Sequence, residues 1–190
     1  VENLGDLVSE WVTFNEPNVY TNLGYAIGLF PPGIRNVREF FQVAAEMIRT
    51  HVELYHLIHQ IRAKRGYQGR TMVGTAMHVR VLDGITFMGR RTAALVDYFF
   101  HELFMEGMTA GRLKFPLPRR GYTSPKGKYV DFLGINYYTR NIVEFAFDPA
   151  LLFHKCVNDK SLDKSDLCWD IYPEGIYRMG YGSTGITTGR

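Results

Sequence analysis

Trp11-Val12-Thr13-Phe14-Asn15-Glu16-Pro17-Asn18 is the stretch on which the fold turns. Four apolar or β-branched residues are followed by an amide, a carboxyl and a proline. This predicts a short buried strand that stops at Pro17, because proline has no N–H to give a sheet ladder. Glu16 then stands where strand gives way to loop. In barrels and open sheets built of strand–helix units, chemistry gathers at that end of the strand. A carboxyl held there against aromatic neighbours loses solvation and keeps its proton to higher pH, as a proton donor must. The plainer reading of Asn-Glu-Pro is a strand exit, with Glu16 in solvent and Asn15 capping a turn.

The whole octapeptide resembles the acid/base signature, Thr-Phe-Asn-Glu-Pro, of family 1 glycoside hydrolases, the retaining β-glucosidases and their relatives. The resemblance implies that Glu16 is the general acid/base and that Asn15 meets the sugar. An amide suits that task, since it offers a hydroxyl both a donor and an acceptor. Two later stretches agree in order. Val130-Asp131-Phe132-Leu133-Gly134-Ile135-Asn136-Tyr137-Tyr138-Thr139 is an apolar run with a polar end, as a central parallel strand should be. It resembles the family's sixth barrel strand, which implies that Tyr138 donates its hydroxyl to the nucleophilic carboxylate and that Asn136 supports the substrate. Trp169-Asp170-Ile171-Tyr172-Pro173-Glu174-Gly175-Ile176-Tyr177 resembles the loop leading into the helix before the seventh strand. Pro173 and Glu174 suit the first turn of that helix, so Glu174 reads as a cap residue.

Between these markers the pattern alternates helix and strand. Val1–Glu10 has helical apolar spacing, and Tyr20–Gly33, broken by Pro31-Pro32-Gly33, reads as a loop. Asn36 caps a long amphipathic helix to about Lys64, closed by Gly66. His51 and His59 share a face of it, but no carboxylate or cysteine completes a metal set, and packing with surface exposure accounts for them. Met72–Met77 reads as a second buried strand ending at His78. Family members often carry asparagine there, which makes His78 a variant substrate contact or a hydrogen-bond partner of the acid. Arg90 to about Met108 reads as a second helix broken by Gly107 and Gly111, and Phe145–Ser165 as a long irregular loop.

The 190 residues, 46% hydrophobic and 22% charged, suffice for one globular domain with a core. The 14% aromatic share provides ring faces suited to stacking on sugars. A net charge of +3 with scattered lysine and arginine excludes a nucleic-acid footprint. Cys156 and Cys168 read as free thiols of a reducing compartment, and no secretory pattern or membrane-length apolar run is present, so the expectation is a cytoplasmic protein. The chain opens on Val1 without an initiator methionine, so its first residue need not be the first of its gene.

After Tyr177 the family pattern would reach a seventh strand ending in Thr-Glu-Asn-Gly, which carries the nucleophile. Here Met179–Arg190 contains no carboxylate. A whole eight-unit barrel takes roughly 250 residues. The expectation is therefore a single partial (β/α)8 TIM-barrel domain over residues 1–190, about strands four to six. It would be a retaining β-glycosidase segment with Glu16 as acid/base and no nucleophile. Asn15, His78, Asn136 and Tyr138 would bind substrate, a β-linked glucoside or galactoside, with no cofactor or metal. Neither nucleic acid nor membrane is a partner in this reading. Open sheet edges invite self-association or a complementing chain, and the alternatives are a non-catalytic carbohydrate-binding fragment or one piece of a split enzyme.

Overall fold

β1 (Glu10–Asn15) ends where Pro17 requires, and helix α1 (Pro17–Thr21) starts with that proline in its first turn. There its missing N–H costs nothing. These elements come from a computed structural model that describes residues 1–123, 127–148 and 153–181. The predicted loop after Tyr20 is instead helical in its first part. A π-helical turn (Asn22–Ala26) continues α1, and the N–H of Ile27 donates to the Asn22 carbonyl at 2.9 Å. Pro31 and Pro32 come only after that turn.

Helix α2 (Val37–Arg65) has the predicted ends. The Asn36 side chain accepts from the N–H groups of Arg38 and Glu39, and Gly66 closes the helix with φ 67°, a left-handed conformation that favours glycine. Residues 1–7, predicted helical, form turns. The reason lies on α2, where Arg62 is 1% exposed. Its guanidinium donates to the carbonyls of Gly5, Val8 and Gln68 and to the Thr71 hydroxyl. A buried arginine needs such acceptors, and it draws the Gly5 and Val8 carbonyls out of a helical ladder.

β2 (Met72–Asp83) is longer than predicted, so His78 stands in mid-strand and not at a strand end. The apolar residues Val79, Val81 and Leu82 continue the run past the one ring read as its stop. Helix α3 (Phe87–Asp97) starts three residues before the expected Arg90, because the Thr86 hydroxyl accepts from the Gly89 N–H at 2.9 Å. A π-helical turn (Tyr98–Glu102) and helix α4 (Leu103–Ala110) follow. Gly107 does not break this segment. It lies inside α4 because a Cβ there would come 2.3 Å from the Ile48 side chain of α2, so the two helices meet over a bare Cα.

β3 (Phe132–Phe145) also outruns its predicted end, and β4 (His154–Val157) falls inside the predicted irregular loop. β4 pairs antiparallel with β3 through Ile142↔Val157 to Phe145↔His154, helped by the Lys155–Glu144 ion pair at 2.9 Å. Four residues, HKCV, are too few to betray a strand by alternation. The strand order is β1-β2-β3-β4. β1 runs parallel to β2. β3 advances along β2 in the same sense, with Asp131 beside Val73 and Gly134 beside Ala76. Helix α5 (Glu174–Tyr181) begins where Pro173-Glu174 predicted.

The chain falls into two compact units, Val1–Met77 with Leu103–Ile135, and His78–Glu102 with the residues from Asn136 onward. In the first, α2 packs on α1, α4 and β1, with Ala44, Ala45, Ile48, Leu103, Phe104 and Met108 buried. In the second, ion pairs carry much of the order: Arg178 and Arg140 both hold Asp83, and Arg140 also reaches Asp159. Arg178, ahead of Arg140, keeps the Asp83 carboxyl below the usual carboxylate range. Among the described residues, no helix is long and apolar enough to cross a membrane, and Cys156 and Cys168 are free thiols.

Candidate active site

Glu16 is spliced between strand and helix. Its N–H donates to the Ala76 carbonyl of β2 at 2.7 Å, and its own carbonyl accepts from Val19 and Tyr20 in α1, both at 3.0 Å. Its backbone sits at φ 52°, ψ 53°, the left-handed region. A residue with a Cβ pays roughly 1–2 kcal/mol there. Such strain persists only where the surroundings fix it, and it gathers at functional sites.

The strand ahead of Glu16 is irregular in a way that bears on its aim. Val12 pairs with Gly74 and Asn15 with Ala76, so three steps of β1 match two of β2. That one-residue excess is a bulge, a device that re-aims side chains and is common beside active sites. Two hydroxyls hold the bulged residues. Thr75 Oγ1 donates to the Phe14 carbonyl at 2.9 Å, and Thr13 Oγ1 lies 2.6 Å from His51 Nδ1. β1 is also less buried than predicted. As the outer strand of the sheet it leaves Val12 52% exposed, with Asn15 exposed and Glu16 half-buried.

In the second unit His78 is buried between two rings. Phe100 meets it edge-on at 5.6 Å, and Tyr138 stacks on it at 5.0 Å and 28°. The Tyr138 ring is 48% exposed and meets the edge of Trp169 at 5.5 Å. Asn136, two residues earlier on β3, shares the Tyr138 face by strand alternation and is half-buried. The opposite face of β3 secures the segment that brings Trp169. Tyr137 donates to the Tyr172 carbonyl at 2.6 Å, and Thr139 to the Asp170 carbonyl at 3.0 Å. Burial, then the neighbouring Tyr172, pushes the Tyr137 hydroxyl up to about 12.

The structure thus joins His78 to Tyr138 and sets Glu16 directly after Asn15 at the end of β1. Sequence reading missed the ring contact of Trp169, whose only signal was its place ahead of Tyr-Pro-Glu-Gly. It also missed what the helical histidines do. His51 ties Thr13 to the Tyr129 carbonyl, and His59 meets the Asp131 carboxylate at 2.9 Å. Among the described residues, no group of three His, Cys, Asp or Glu is placed to hold a metal ion.

A beta-galactosidase of Pyrococcus woesei is 29% identical over 91% of this chain and 39% of its own length. The beta-glycosidase from Pyrococcus horikoshii superposes with a TM-score of 0.76 at 29% identity, over 93% of this chain and 40% of that one. The beta-glucosidase from Thermotoga maritima in complex with azafagomine gives 0.76 at 26% identity, over 94% and 41%. The chain therefore spans about two fifths of the length of these relatives, and its fold is part of a (β/α)8 barrel. The model of glycosyl hydrolase family 1 matches residues 1–180, and the chain belongs to that family.

Proposed function

We propose that residues 1–190 form the acid/base-bearing part of a retaining β-glycosidase, with Glu16 as the general acid/base. The observation that carries this reading is the left-handed backbone of Glu16 at the end of a bulged parallel strand. Family membership supports the reaction class, and the names of the similar proteins support a β-glucoside or β-galactoside as substrate.

In the proposed mechanism the Glu16 carboxyl protonates the departing glycosidic oxygen. It then takes a proton from the water that releases the sugar. A second carboxylate attacks the anomeric carbon and forms a covalent intermediate, which requires the two carboxyls to stand about 5–5.5 Å apart. In this reading that nucleophile lies outside residues 1–190. Asn15, Asn136 and His78 hold sugar hydroxyls, and the Tyr138 hydroxyl donates to the nucleophile. The place of β1 at the outside of the strand order supports a further strand beside it, from the same polypeptide or a complementing one.

The test is Glu16→Gln in the full-length polypeptide that carries these residues. Proton donation matters most when the departing alkoxide is basic and contributes roughly 10²–10⁴-fold. The glycosylation step should fall by that order for an alkyl β-glucoside and far less for an activated aryl one. Equal losses on both would assign Glu16 another role.

A further inference from the structure

His51 is 0% exposed and joins three parts of the first unit: α2, on which it sits, the bulge of β1, and the segment leading into β3. Its Nε2 lies 2.8 Å from the Tyr129 carbonyl and its Nδ1 2.6 Å from Thr13 Oγ1. Burial pushes the imidazole pKa down, and the carbonyls of Tyr129 and Met108 only partly offset this. A neutral imidazole has one donor and one acceptor nitrogen. A carbonyl can only accept, so Nε2 carries the hydrogen and Nδ1 takes the proton of the Thr13 hydroxyl. That hydroxyl also lies 3.2 Å from the Gly74 carbonyl, but its single proton goes to the nearer partner. The direction of the whole chain of bonds follows from the ring's burial against Tyr129.

Thr13 stands where the pairing of β1 with β2 slips, between Val12 and Asn15. A regular ladder would hold the strand by its backbone. Here a side-chain bond from a helix takes over part of that task, three residues before Glu16. We propose that His51 is a positioning residue for the acid/base: through Thr13 it fixes the bulge that aims Glu16. This inference rests on the reading of Glu16 given above. It assigns a catalytic consequence to a helix residue outside the acid/base motif.

The three bonding partners can be separated by substitution in the full-length polypeptide. His51→Asn keeps an acceptor near the Nδ1 position, facing Thr13. His51→Gln keeps a donor near the Nε2 position, facing Tyr129. Thr13→Val removes the hydroxyl at nearly constant shape. The readout is kcat/KM on an alkyl and on an activated aryl β-glucoside, with Glu16→Gln as reference and thermal unfolding measured alongside.

Thr13→Val and His51→Gln should each lose about tenfold more on the alkyl substrate than on the aryl one, below the roughly 10²-fold of a full ångström misplacement. The double variant should lose no more than either single, as partners in one bond do. His51→Asn should keep its alkyl activity despite a lowered Tm. Equal losses on the two substrates, or a His51→Asn variant as impaired as His51→Gln, would overturn the proposal and leave His51 a packing residue. If Glu16→Gln itself fails to discriminate the substrates, the acid/base reading falls and this inference with it. If only Glu16→Gln discriminates, the positioning role alone is refuted.

Discussion

The Asp131 carboxylate stands opposite Val73 where a regular strand pair would place a backbone carbonyl. It accepts the Val73 N–H at 2.8 Å while the Asp131 N–H donates to the Val73 carbonyl at 2.7 Å. The same carboxylate receives His59 Nε2 at 2.9 Å and the Tyr55 hydroxyl at 3.2 Å, both from α2. One side chain thus sets the register of β3 on β2 and docks the long helix against their start.

Burial pushes Asp131 up, but the bonds from Val73, His59 and Tyr55 outweigh it and hold the carboxyl below its usual range. A depressed folded pKa stabilises the fold above the unfolded value of about 3.9 and loses that contribution as pH falls through the folded one. Asp131→Asn should therefore cost about 1–3 kcal/mol at neutral pH. Its stability gap to the parent should close below about pH 4. Urea titrations across pH 2–7 check this, and a gap independent of pH would contradict it.

Arg62 should be among the most sensitive positions in the first unit. Arg62→Met strands the buried Gly5 carbonyl and takes from those of Val8 and Gln68, on exposed residues, their guanidinium donor. The expected loss is about 1–3 kcal/mol, the cost of one buried acceptor left unsatisfied. Arg62→Lys should fall between parent and Met, because one ammonium cannot serve Thr71 and Gln68 as the fork does. Denaturation midpoints rank the three, and a silent Arg62→Met would refute the account of residues 1–9.

The polypeptide of residues 1–190, by itself, should not hydrolyse an activated aryl β-glucoside above background. Members of a catalytic set act as a unit, so an acid without its nucleophile recovers little. Of the seven side-chain carboxylates after Tyr138, Glu144 is engaged with Lys155, Asp159 with Arg140 and Asp170 with Lys164. Aglycone release that Glu16→Gln abolishes, from a preparation free of other chains, would show that one of them serves as nucleophile.

What the sequence made legible was local and periodic. Asn36 and Gly66 bracket α2 because capping chemistry acts within a turn of the residue that supplies it, and Pro17 ends β1 for an equally local reason. The strand–helix alternation and the acid/base octapeptide pointed to a partial barrel, which the solved structures bear out. Several of the misses share a physical cause, partners distant in sequence. Residues 1–7 are turns because of Arg62, more than fifty positions away. His78 reads as a strand end only if its ring is taken for a polar stop. Packed between Phe100 and Tyr138, it stands in the middle of a longer strand. The work of His51 and His59 was hidden because Thr13 and Asp131 lie elsewhere in the chain. The expectations for Gly182–Arg190 fall outside the described residues.

The central claim, that Glu16 is the acid/base and not the nucleophile, is tested most directly by chemical rescue of Glu16→Ala in the full-length polypeptide. With an activated aryl β-glucoside the first step needs little protonation, so the glycosyl-enzyme forms and then waits for a base it lacks. Azide needs no base to attack. The account predicts that azide restores turnover and that the product is the β-glycosyl azide, the configuration of the substrate retained through two displacements. An α-glycosyl azide would make Glu16 the nucleophile, and no rescue at all would remove it from the reaction.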